Sequence, residues 1–588
     1  MEKKDSQIVR RVFKSNYIVI VVASYIAVSG MIVDSILISR FMNETAISAY
    51  GVVMTIFIIL SSLGGILSAG GQSVIGRELG IGEVEKANRM NSIINAATLA
   101  FAFILILLAL VFQKTTLALL GATEATGELY TMSREYLLGL IIGFPAILWT
   151  MIPGSFITLD SDGARTFIST IVMTVVNIAG DLLNVFVIHG GMFGMALATS
   201  VSYYVSMLLV LPHFFDRRFT LKFTNPGRSL KPLLGVIREG VPTGACRLAA
   251  ALKFAGVNRI LLSIATATTV ASFTVARSLI NFYDPLTMAV GMVVLMMGSA
   301  FVGEEDRHTL ELLLRTMLRY CMGPILIVTV VMMVFSKQLT GLFLPETSPA
   351  FADALFCNRC LFVCVPLTGI NYGMANYLQS VGKLKASMIC NVLDNGGLLL
   401  LCAPIMSAAM GVAGVFLAFP VSKLLVTLGL ILYAWIFRKE MPRSIGDFLF
   451  LDKGFGVSES DEVRRTLTRQ EEVIACSEDV RQFCTNRKLP KRTAMLLALC
   501  VEEMCGNIIQ HGFEPNKENT IDVRLQCKED RVTLRVRDNC KPFDPKKCYE
   551  IYKSKENFSN FGIKMVVGMT KEIRYVNLMN MNILYMEV

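Results

Sequence analysis

Long apolar runs fill roughly the first three quarters of the chain. Residues 17–39, 93–112 and 413–437 are examples, each with about twenty predominantly apolar positions. A helix of that length crosses the hydrocarbon core of a bilayer and hydrogen bonds all of its backbone groups internally. We count about twelve such runs before residue 440, so the pattern predicts a polytopic α-helical membrane domain.

A second pattern begins after residue 440. Residues 441–457 contain Pro and Gly and predict a linker, 458–489 predict a charged helix, and Pro490 opens another helix. Residues 520–527 and 531–538 alternate apolar and polar positions around a turn at 528–530, which is typical of a β-hairpin. Gly562 begins a further helix, and residues 571–576 with 583–588 complete the sheet. Residues 458–588 are therefore predicted to form an α/β two-layer sandwich of roughly 130 residues.

Composition and charge agree with a membrane protein. The 588 residues are 53% hydrophobic and only 17% charged, which excludes a soluble protein of ordinary composition. Lys and Arg concentrate in alternate loops, beginning with the amino terminus, and such loops face the cytoplasm. We therefore expect a multi-pass plasma-membrane protein whose amino terminus and tail are cytoplasmic. The net charge of +10 then reflects the inner membrane face, and we expect no nucleic-acid binding.

Two halves of the membrane region repeat each other at an offset of roughly 220 residues. Four matches share this register: residues 76–83 with 298–307, 159–163 with 378–382, 191–194 with 411–414, and 201–202 with 421–422. Repeats of this kind usually form two bundles that face each other across a central cavity. The membrane domain, residues 1–440, is thus predicted to contain two six-helix bundles over about 10–215 and 230–440.

Ionisable side chains within the predicted spans mark a candidate site. Asp34 lies midway along the first helix, Asn177 and Asp181 lie one turn apart on the fifth, and Thr199 follows on the sixth. Two carboxylates close together in a low dielectric do not both stay ionised cheaply, so one would take up a proton. Alternatively both stay ionised and bind Na⁺ together with the Asn and Thr oxygens. A third reading is that Asp181 only hydrogen bonds a helix break.

The second repeat has no equivalent of Asp181, because the matching position falls on Leu400 or Leu401. Coupling to an ion is therefore expected in the first bundle. Asp284 and Asp394 of the second bundle either line a substrate cavity or cap helices near loops.

Several short segments carry a family resemblance in the membrane region. They are Leu-Gly-Ala-Thr at 120–123, Asp-Gly at 162–163, Asn-Ile-Ala-Gly-Asp at 177–181, the glycine-rich 191–199, and Gly-Val-Pro at 240–242. Through them residues 10–440 resemble the multidrug and toxic-compound extrusion (MATE) family. The resemblance implies efflux of small, often cationic or amphipathic compounds, driven by inward flow of protons or sodium. It also implies that Asp34, Asn177, Asp181 and Thr199 match the amino-lobe ion site of the archaeal-type branch.

The tail carries a second set of motifs. Glu503, Asn507 and His511 are spaced to lie on one helix face, Asp538 leads an Asp-Asn-Cys-Lys-Pro-Phe segment, and Asn560 comes two residues before Gly562. Residues 458–588 thereby resemble the GHKL ATP-binding superfamily, and most closely its anti-sigma-factor serine kinase branch. The resemblance implies ATP and Mg²⁺ as cofactors, with Glu503 as the catalytic base and Asn507 as the Mg²⁺ ligand. It also implies that Asp538 binds the adenine amino group and that Gly562 belongs to the phosphate lid.

The tail departs from the GHKL pattern at three positions. Cys540 replaces a glycine of the adenine motif, Asn560 replaces the first lid glycine, and Asn580 stands near a usual late glycine. Asparagine tolerates the left-handed backbone, so Cys540 is the more consequential change. Glu502 is the alternative base if the helix phase differs by one residue. Either the domain binds nucleotide, with or without phosphotransfer, or it is a ligand-free docking module.

Together these patterns predict a secondary antiporter that exports a small-molecule substrate in exchange for H⁺ or Na⁺ and carries an ATP-binding, serine kinase-like regulatory domain. A kinase would act on a partner such as a small anti-anti-sigma-like protein. One alternative is a receptor whose bundle senses a ligand and whose output is the kinase. Another is a lipid-carrier flippase, which predicts basic residues in the central cavity; Arg259, Arg277 and Lys423 keep it open. The sequence has no Gly-x-x-x-x-Gly-Lys-Ser/Thr loop, so ATP is not expected to power transport.

Overall fold

The chain folds into a helical bundle followed by an α/β domain. The computed structural model describes residues 2–227, 231–264, 267–515, 517–528, 531–552 and 561–588. Two features of the sequence lie outside these residues, namely Asn560 and most of the 528–530 turn.

The first half of the bundle, here called the first lobe, contains eight α-helices within the described residues. They are α1 (Glu2–Phe41), α2 (Glu44–Ile81), α3 (Val84–Val111), α4 (Gln113–Leu119), α5 (Glu128–Met151), α6 (Pro153–Leu159), α7 (Gly163–Leu183) and α8 (Gly191–Val210). Helix α6 continues the span of α5 after a bend, because Pro153 cannot extend the hydrogen bonds of the preceding helix. Helix α4 is a short turn after the third span.

The second half, the second lobe, repeats this arrangement. Its helices are α9 (Lys231–Ile264), α10 (Ala267–Gly303), α11 (Arg307–Tyr320), α12 (Leu326–Val334), α13 (Ser336–Gly341), α14 (Phe351–Ser380), α15 (Leu384–Val392) and α16 (Leu398–Arg438). Within α16, Gly411 has a φ of 60° and a ψ of −138°, which breaks the helix into two spans.

The described residues contain 11 stretches long and apolar enough to cross a membrane. One of them, Lys491–Gly512, belongs to the α/β domain, and another, Leu384–Arg438, holds the two spans that meet at Gly411. Helix α9 is not among these stretches, but it packs within the second lobe, since a Cβ added to Gly396 would lie 2.8 Å from the Ala249 carbonyl oxygen of α9. The predicted pair of six-helix bundles is thus confirmed within the described residues.

The α/β domain contains a five-stranded antiparallel sheet in the order β1-β2-β3-β5-β4. Its elements are β1 (Glu462–Leu467), α17 (Glu471–Asn486), α18 (Lys491–Asn507), β2 (Ile521–Lys528), β3 (Arg531–Asp538), α19 (Pro545–Tyr552), α20 (Phe561–Met569), β4 (Glu572–Leu578) and β5 (Met581–Glu587). The predicted sandwich is confirmed. The predicted helix over 458–489 is wrong in its first part, because residues 462–467 pair with β2.

The two faces of the sheet have different neighbours. On β2, Ile521, Val523 and Leu525 pack into a core with α17, α18 and α20. The alternate residues point to the opposite face, as the period of two in a strand requires, and Asp522 and Arg524 are buried there against the bundle. The sheet is therefore covered on one side by its own helices and on the other by the membrane domain.

Candidate functional site

The acidic residues of the first lobe lie together in its interior. Asn177 Nδ2 donates to Asp34 Oδ1 at 2.6 Å and to Asp181 Oδ2 at 3.1 Å, so the carboxamide bridges two carboxylates from α1 and α7. Asp34 is 8% exposed and Asp181 is fully buried. Asp181 Oδ1 has no hydrogen-bond partner among the described residues. A buried carboxylate oxygen without a partner is costly, so this geometry has room for a proton or a small cation.

A small cavity opens beside this cluster. Its volume is about 90 Å³, and Asp34, Asn177 and Thr199 all line it. Thr199 is therefore placed near the carboxylates, although its hydroxyl donates to the Met195 carbonyl oxygen at 3.4 Å. Tyr136 and Tyr203 line the same cavity, and sequence reasoning missed them because they come from two different helices and carry no motif.

A second cavity, of about 130 Å³, lies in the second lobe. Asp284 and Asp394, for which the sequence left two readings open, both line it. Lys423 Nζ donates to Asp394 Oδ2 at 2.6 Å, and Asn371 Nδ2 donates to Asp394 Oδ1 at 2.8 Å. Of the basic residues noted in the sequence, Lys423 thus lines this cavity, whereas the side chain of Arg277 lies outside the described residues.

In the α/β domain, the carboxylate of Asp538 is held in a fixed orientation. Its Oδ1 accepts from the Cys540 backbone N–H at 2.8 Å and from Asn582 Nδ2 at 2.7 Å. Burial raises the pKa of Asp538 to about 6. Cys540 is 5% exposed and has a negative φ, so its side chain adds no backbone strain. Asn582, which no motif indicated, is the residue that orients this carboxylate.

The two candidate bases face different neighbours. Glu503 lies against the first turn of α20, where a Cβ added to Gly562 would be 1.8 Å from Glu503 Oε2. Glu502 instead accepts a hydrogen bond from Ser477 Oγ of α17 at 2.6 Å. Helix phase therefore directs Glu503, and not Glu502, towards the lid segment. Among the described residues no hydrogen bond joins Asn507 to Asp538 or to Gly562.

The close approach at Gly562 leads to a testable prediction. Gly562→Ala should destabilise the docking of α20 on α18 by about 1–3 kcal/mol, because the methyl group has to displace a carboxylate. Gly568→Ala is the matched control in the same helix, since nothing lies within 4 Å of its added Cβ. Hydrogen exchange of α20 in the full chain measures both. Equal protection in the two variants would contradict this packing.

The α/β domain docks on the second lobe through a buried ion cluster, here called the docking cluster. Its members, all from β1–β3 or from the α10–α11 loop, are Glu304, Asp306, Arg464, Asp522, Arg524, Arg535 and Arg537. Arg535 donates to Asp306 Oδ2 at 2.8 Å and to Asp522 Oδ2 at 2.6 Å, and it also contacts Glu304. Burial alone would raise the pKa of Asp306, but Arg464 and Arg535 hold that pKa well below its ordinary value.

The same domain also holds the first lobe. At the β4–β5 turn, the Met579 N–H donates to the Leu159 carbonyl oxygen at 2.9 Å and the Asn580 N–H donates to Ser161 Oγ at 2.8 Å. Met579 and Asn580 have φ values of 54° and 60°, the left-handed pair that a tight hairpin turn requires. From the adjacent strand, Tyr585 donates its hydroxyl to the Gly80 carbonyl oxygen at 2.5 Å.

The two lobes touch each other at this end of the bundle. A Cβ added to Gly80 of α2 would lie 2.1 Å from the Ala300 carbonyl oxygen of α10, and one added to Gly303 would lie 2.3 Å from the Arg77 carbonyl oxygen. Arg77 also forms an ion pair with Glu239 of α9. The sheet therefore bridges two lobes that are already closed against each other here.

The helical bundle is similar to known proteins. The multidrug export protein MepA of Staphylococcus aureus (strain N315) is 23% identical over 406 residues, which are 67% of this chain and 86% of MepA. MepA of Staphylococcus saprophyticus is 21% identical over 405 residues, with the same coverage. The crystal structure of the Vibrio cholerae MATE transporter VcmN in the bent form superimposes with a TM-score of 0.67 at 18% identity, covering 76% of this chain and 100% of VcmN.

Family comparison covers both parts of the chain. Residues 20–183 and 257–405 match the MatE family, and residues 466–588 match the histidine kinase-like ATPase domain. The first match includes Asp34, Asn177 and Asp181, and the second includes Glu503, Asp538 and strands β2–β5. The chain therefore belongs to the MatE family of membrane transporters and carries a histidine kinase-like ATPase domain at its carboxyl end.

Proposed function

We propose that this protein is a secondary antiporter that exports small organic compounds in exchange for H⁺ or Na⁺. The observation that carries the proposal is the buried Asp34–Asn177–Asp181 cluster with its unpartnered carboxylate oxygen. Burying two acidic groups inside a membrane protein costs free energy. Their presence therefore indicates that the protein binds and releases a cation. The naming of two relatives as multidrug export proteins supports drug-like substrates.

The cluster suits either coupling ion. If the ion is a proton, one carboxylate carries it and the other accepts the Asn177 hydrogen bond. If the ion is Na⁺, the carboxylate oxygens of Asp34 and Asp181, with oxygens of Asn177 and Thr199, provide the hard ligands that it prefers. In both cases ion release leaves negative charge beside the first-lobe cavity, which can then attract a cationic group of the substrate.

Vesicle transport tests the antiport. The full chain is reconstituted into liposomes, and uptake of a fluorescent cation is followed after a pH gradient, a sodium gradient or no gradient is imposed. We expect uptake against the substrate gradient with one of the two ions. A chain that shows no dependence on either gradient, although it binds the substrate, would contradict the proposal.

We further propose that the α/β domain is a cytoplasmic regulator that restrains the lobes. The Lys and Arg bias of the loops supports the cytoplasmic side. A transporter of two lobes has to open at this end in one of its states. The docking cluster holds the second lobe and the β4–β5 turn holds the first, so opening requires that one contact be released. Transport by a chain truncated after residue 440 should then be faster than transport by the full chain.

Nucleotide is the proposed signal for that release. The buried, oriented carboxylate of Asp538 fits the acceptor that an adenine amino group needs. A cavity of about 950 Å³ joins the adenine motif, at Cys540 and Phe543, to the basic loop after α8, at Arg217 and Lys222. A ligand bound at this boundary would contact both domains. Asn507 is the proposed Mg²⁺ ligand, and phosphotransfer through Glu503 requires the first turn of α20 to leave the Glu503 carboxylate.

The raised pKa of Asp538 predicts a pH dependence of ATP binding. The carboxylate accepts a hydrogen bond from adenine only when it is ionised, so affinity should be full near pH 8 and fall as the pH drops through about 6. Asp538→Asn should weaken binding about tenfold or more at pH 8, because the amide offers a poorer acceptor. Titration of the full chain with a fluorescent ATP analogue measures both effects. Asp452→Asn is the control, since its side chain is 83% exposed and does not line this cavity.

A further inference from the structure

The two cavities of the membrane domain have opposite charge. Asp34 is the charged residue that lines the first-lobe cavity, within the described residues. The second-lobe cavity is lined by three basic and two acidic side chains, which are Arg247, Lys253, Lys423, Asp284 and Asp394. One positive charge is thus in excess in the second lobe.

Only part of this charge is balanced by close contacts. Lys423 and Asp394 form a pair with 2.6 Å between Nζ and Oδ2, and Lys423 Nζ also donates to the Asp394 carbonyl oxygen at 3.0 Å. Asn371 Nδ2 completes the set by donating to the second carboxylate oxygen at 2.8 Å. Lys423 is 8% exposed and Asp394 is 5% exposed. This pair is satisfied and neutral, so it has a structural role in shaping the cavity wall.

The remaining cations have no such partner. Within the described chain, the side chains of Arg247 and Lys253 form no hydrogen bond and no ion pair. Lys253 Nζ lies 4.8 Å from the centroid of the Phe254 ring. The Arg247 guanidinium lies at the boundary of the lobes, because a Cβ added to Gly65 of α2 would be 3.1 Å from its Nε. Asp284 lines the same cavity and leaves one of the two positive charges uncompensated. An unpaired cation inside a membrane domain is costly unless a ligand pairs with it.

We infer that the second-lobe cavity is an acceptor for an acidic group, such as a carboxylate, on the transported compound. The inference rests on the proposed export function and adds a substrate class to it. Arg247 and Lys253 would pair with the acidic group, while Tyr283, Tyr372 and Phe419, which also line the cavity, would contact an apolar body. Compounds that carry both a cationic and an acidic group would engage both lobes, since the first-lobe cavity is acidic.

Equilibrium binding to the purified full chain tests this acceptor. The probes are rhodamine 110, which has a free carboxylate, and rhodamine 123, which is its methyl ester; polarisation of their fluorescence reports binding. The unmodified chain should bind rhodamine 110 more tightly than rhodamine 123. Lys253→Met and Arg247→Gln should each lower the affinity for rhodamine 110 about tenfold, while the affinity for rhodamine 123 changes less than about twofold. Lys253→Arg should retain most of the preference.

Control variants distinguish loss of the acceptor from loss of antiport and from misfolding. Lys337→Met removes an exposed lysine, which pairs with Glu346 at 2.9 Å, and should leave both affinities unchanged. Arg247 is more exposed than Lys253, so its variant keeps the test valid if Lys253→Met does not fold. Binding needs no ion gradient, and a chain that fails to antiport can still show the preference. Equal affinity for the two probes, or an equal loss of both in the variants, would overturn the acceptor.

Discussion

Export driven by an ion gradient should fall at least about tenfold when Asp181 is replaced by asparagine. The amide has nearly the shape of the carboxylate, so the packing of this fully buried position is kept. The amide cannot take up a proton, and it has no negative charge to attract Na⁺. The Asn177 carboxamide then donates to one carboxylate instead of two. Transport down a substrate gradient can persist, because the lobes still move. Uptake by reconstituted vesicles, with and without an imposed gradient, measures the two rates.

The same loss is expected for Asp34→Asn, since Asp34 is the other carboxylate of the bridge. Asp452→Asn is the matched control: its side chain is 83% exposed and pairs with Lys383 at 2.6 Å, a contact worth about 1 kcal/mol or less. Gradient-driven export at the full rate in both Asp34 and Asp181 variants would remove this cluster as the coupling site. A loss of downhill transport as well would indicate a defect of folding instead.

The first-lobe cluster could be located from sequence for a simple physical reason. Ionisable residues are rare in apolar spans, and Asn177 and Asp181 are one turn apart on one helix, so their proximity follows from helical geometry. The contribution of Tyr136 and Tyr203 to the cavity could not be predicted, because it depends on how α5 and α8 pack against each other. Spacing within a helix can be derived from the sequence, whereas contacts between helices depend on the whole bundle.

Strand β1 and the docking cluster were missed for a related reason. The segment Glu462–Leu467 is short and charged, and its strand pairing with β2 involves residues far away in the chain. Its Arg464, like the arginines of β2 and β3, looks like a solvated surface residue by composition. In the structure these guanidinium groups are buried, because carboxylates of the α10–α11 loop complete their pairing. Charge that is paired across a domain boundary leaves no periodic signal in the sequence.

This pairing explains how the sheet accommodates several buried arginine side chains on one face. Arg524 and Arg535 lie directly opposite each other on β2 and β3, an arrangement of like charges that destabilises a sheet. Asp522 and Glu462 contribute two carboxylates from within the domain, and Glu304 and Asp306 contribute two from the second lobe. The face of the sheet is therefore complementary to the loop, and its charges are balanced only when the domain is docked.

Arg535→Met should therefore weaken docking by about 3–5 kcal/mol, because it leaves buried carboxylates without their shared partner. The β4–β5 turn reports the effect, since Met579 and Asn580 donate their N–H groups to the first lobe only while the domain is in place. Their hydrogen exchange in the full chain should accelerate about a hundredfold or more. Arg481→Met is the matched control: its pair with Glu478 is 57% and 60% exposed, and its loss should change exchange little.

The transport rate of the same variant tests whether docking restrains the lobes. If the sheet has to release one lobe before this end of the bundle opens, weaker docking lowers that barrier, and Arg535→Met should approach the rate of the chain truncated after residue 440. The close contacts of Gly80 and Gly303 between α2 and α10 remain in both, so any increase comes from the domain and not from the bundle. Faster hydrogen exchange without faster transport would mean that docking of the domain does not limit the opening of the lobes.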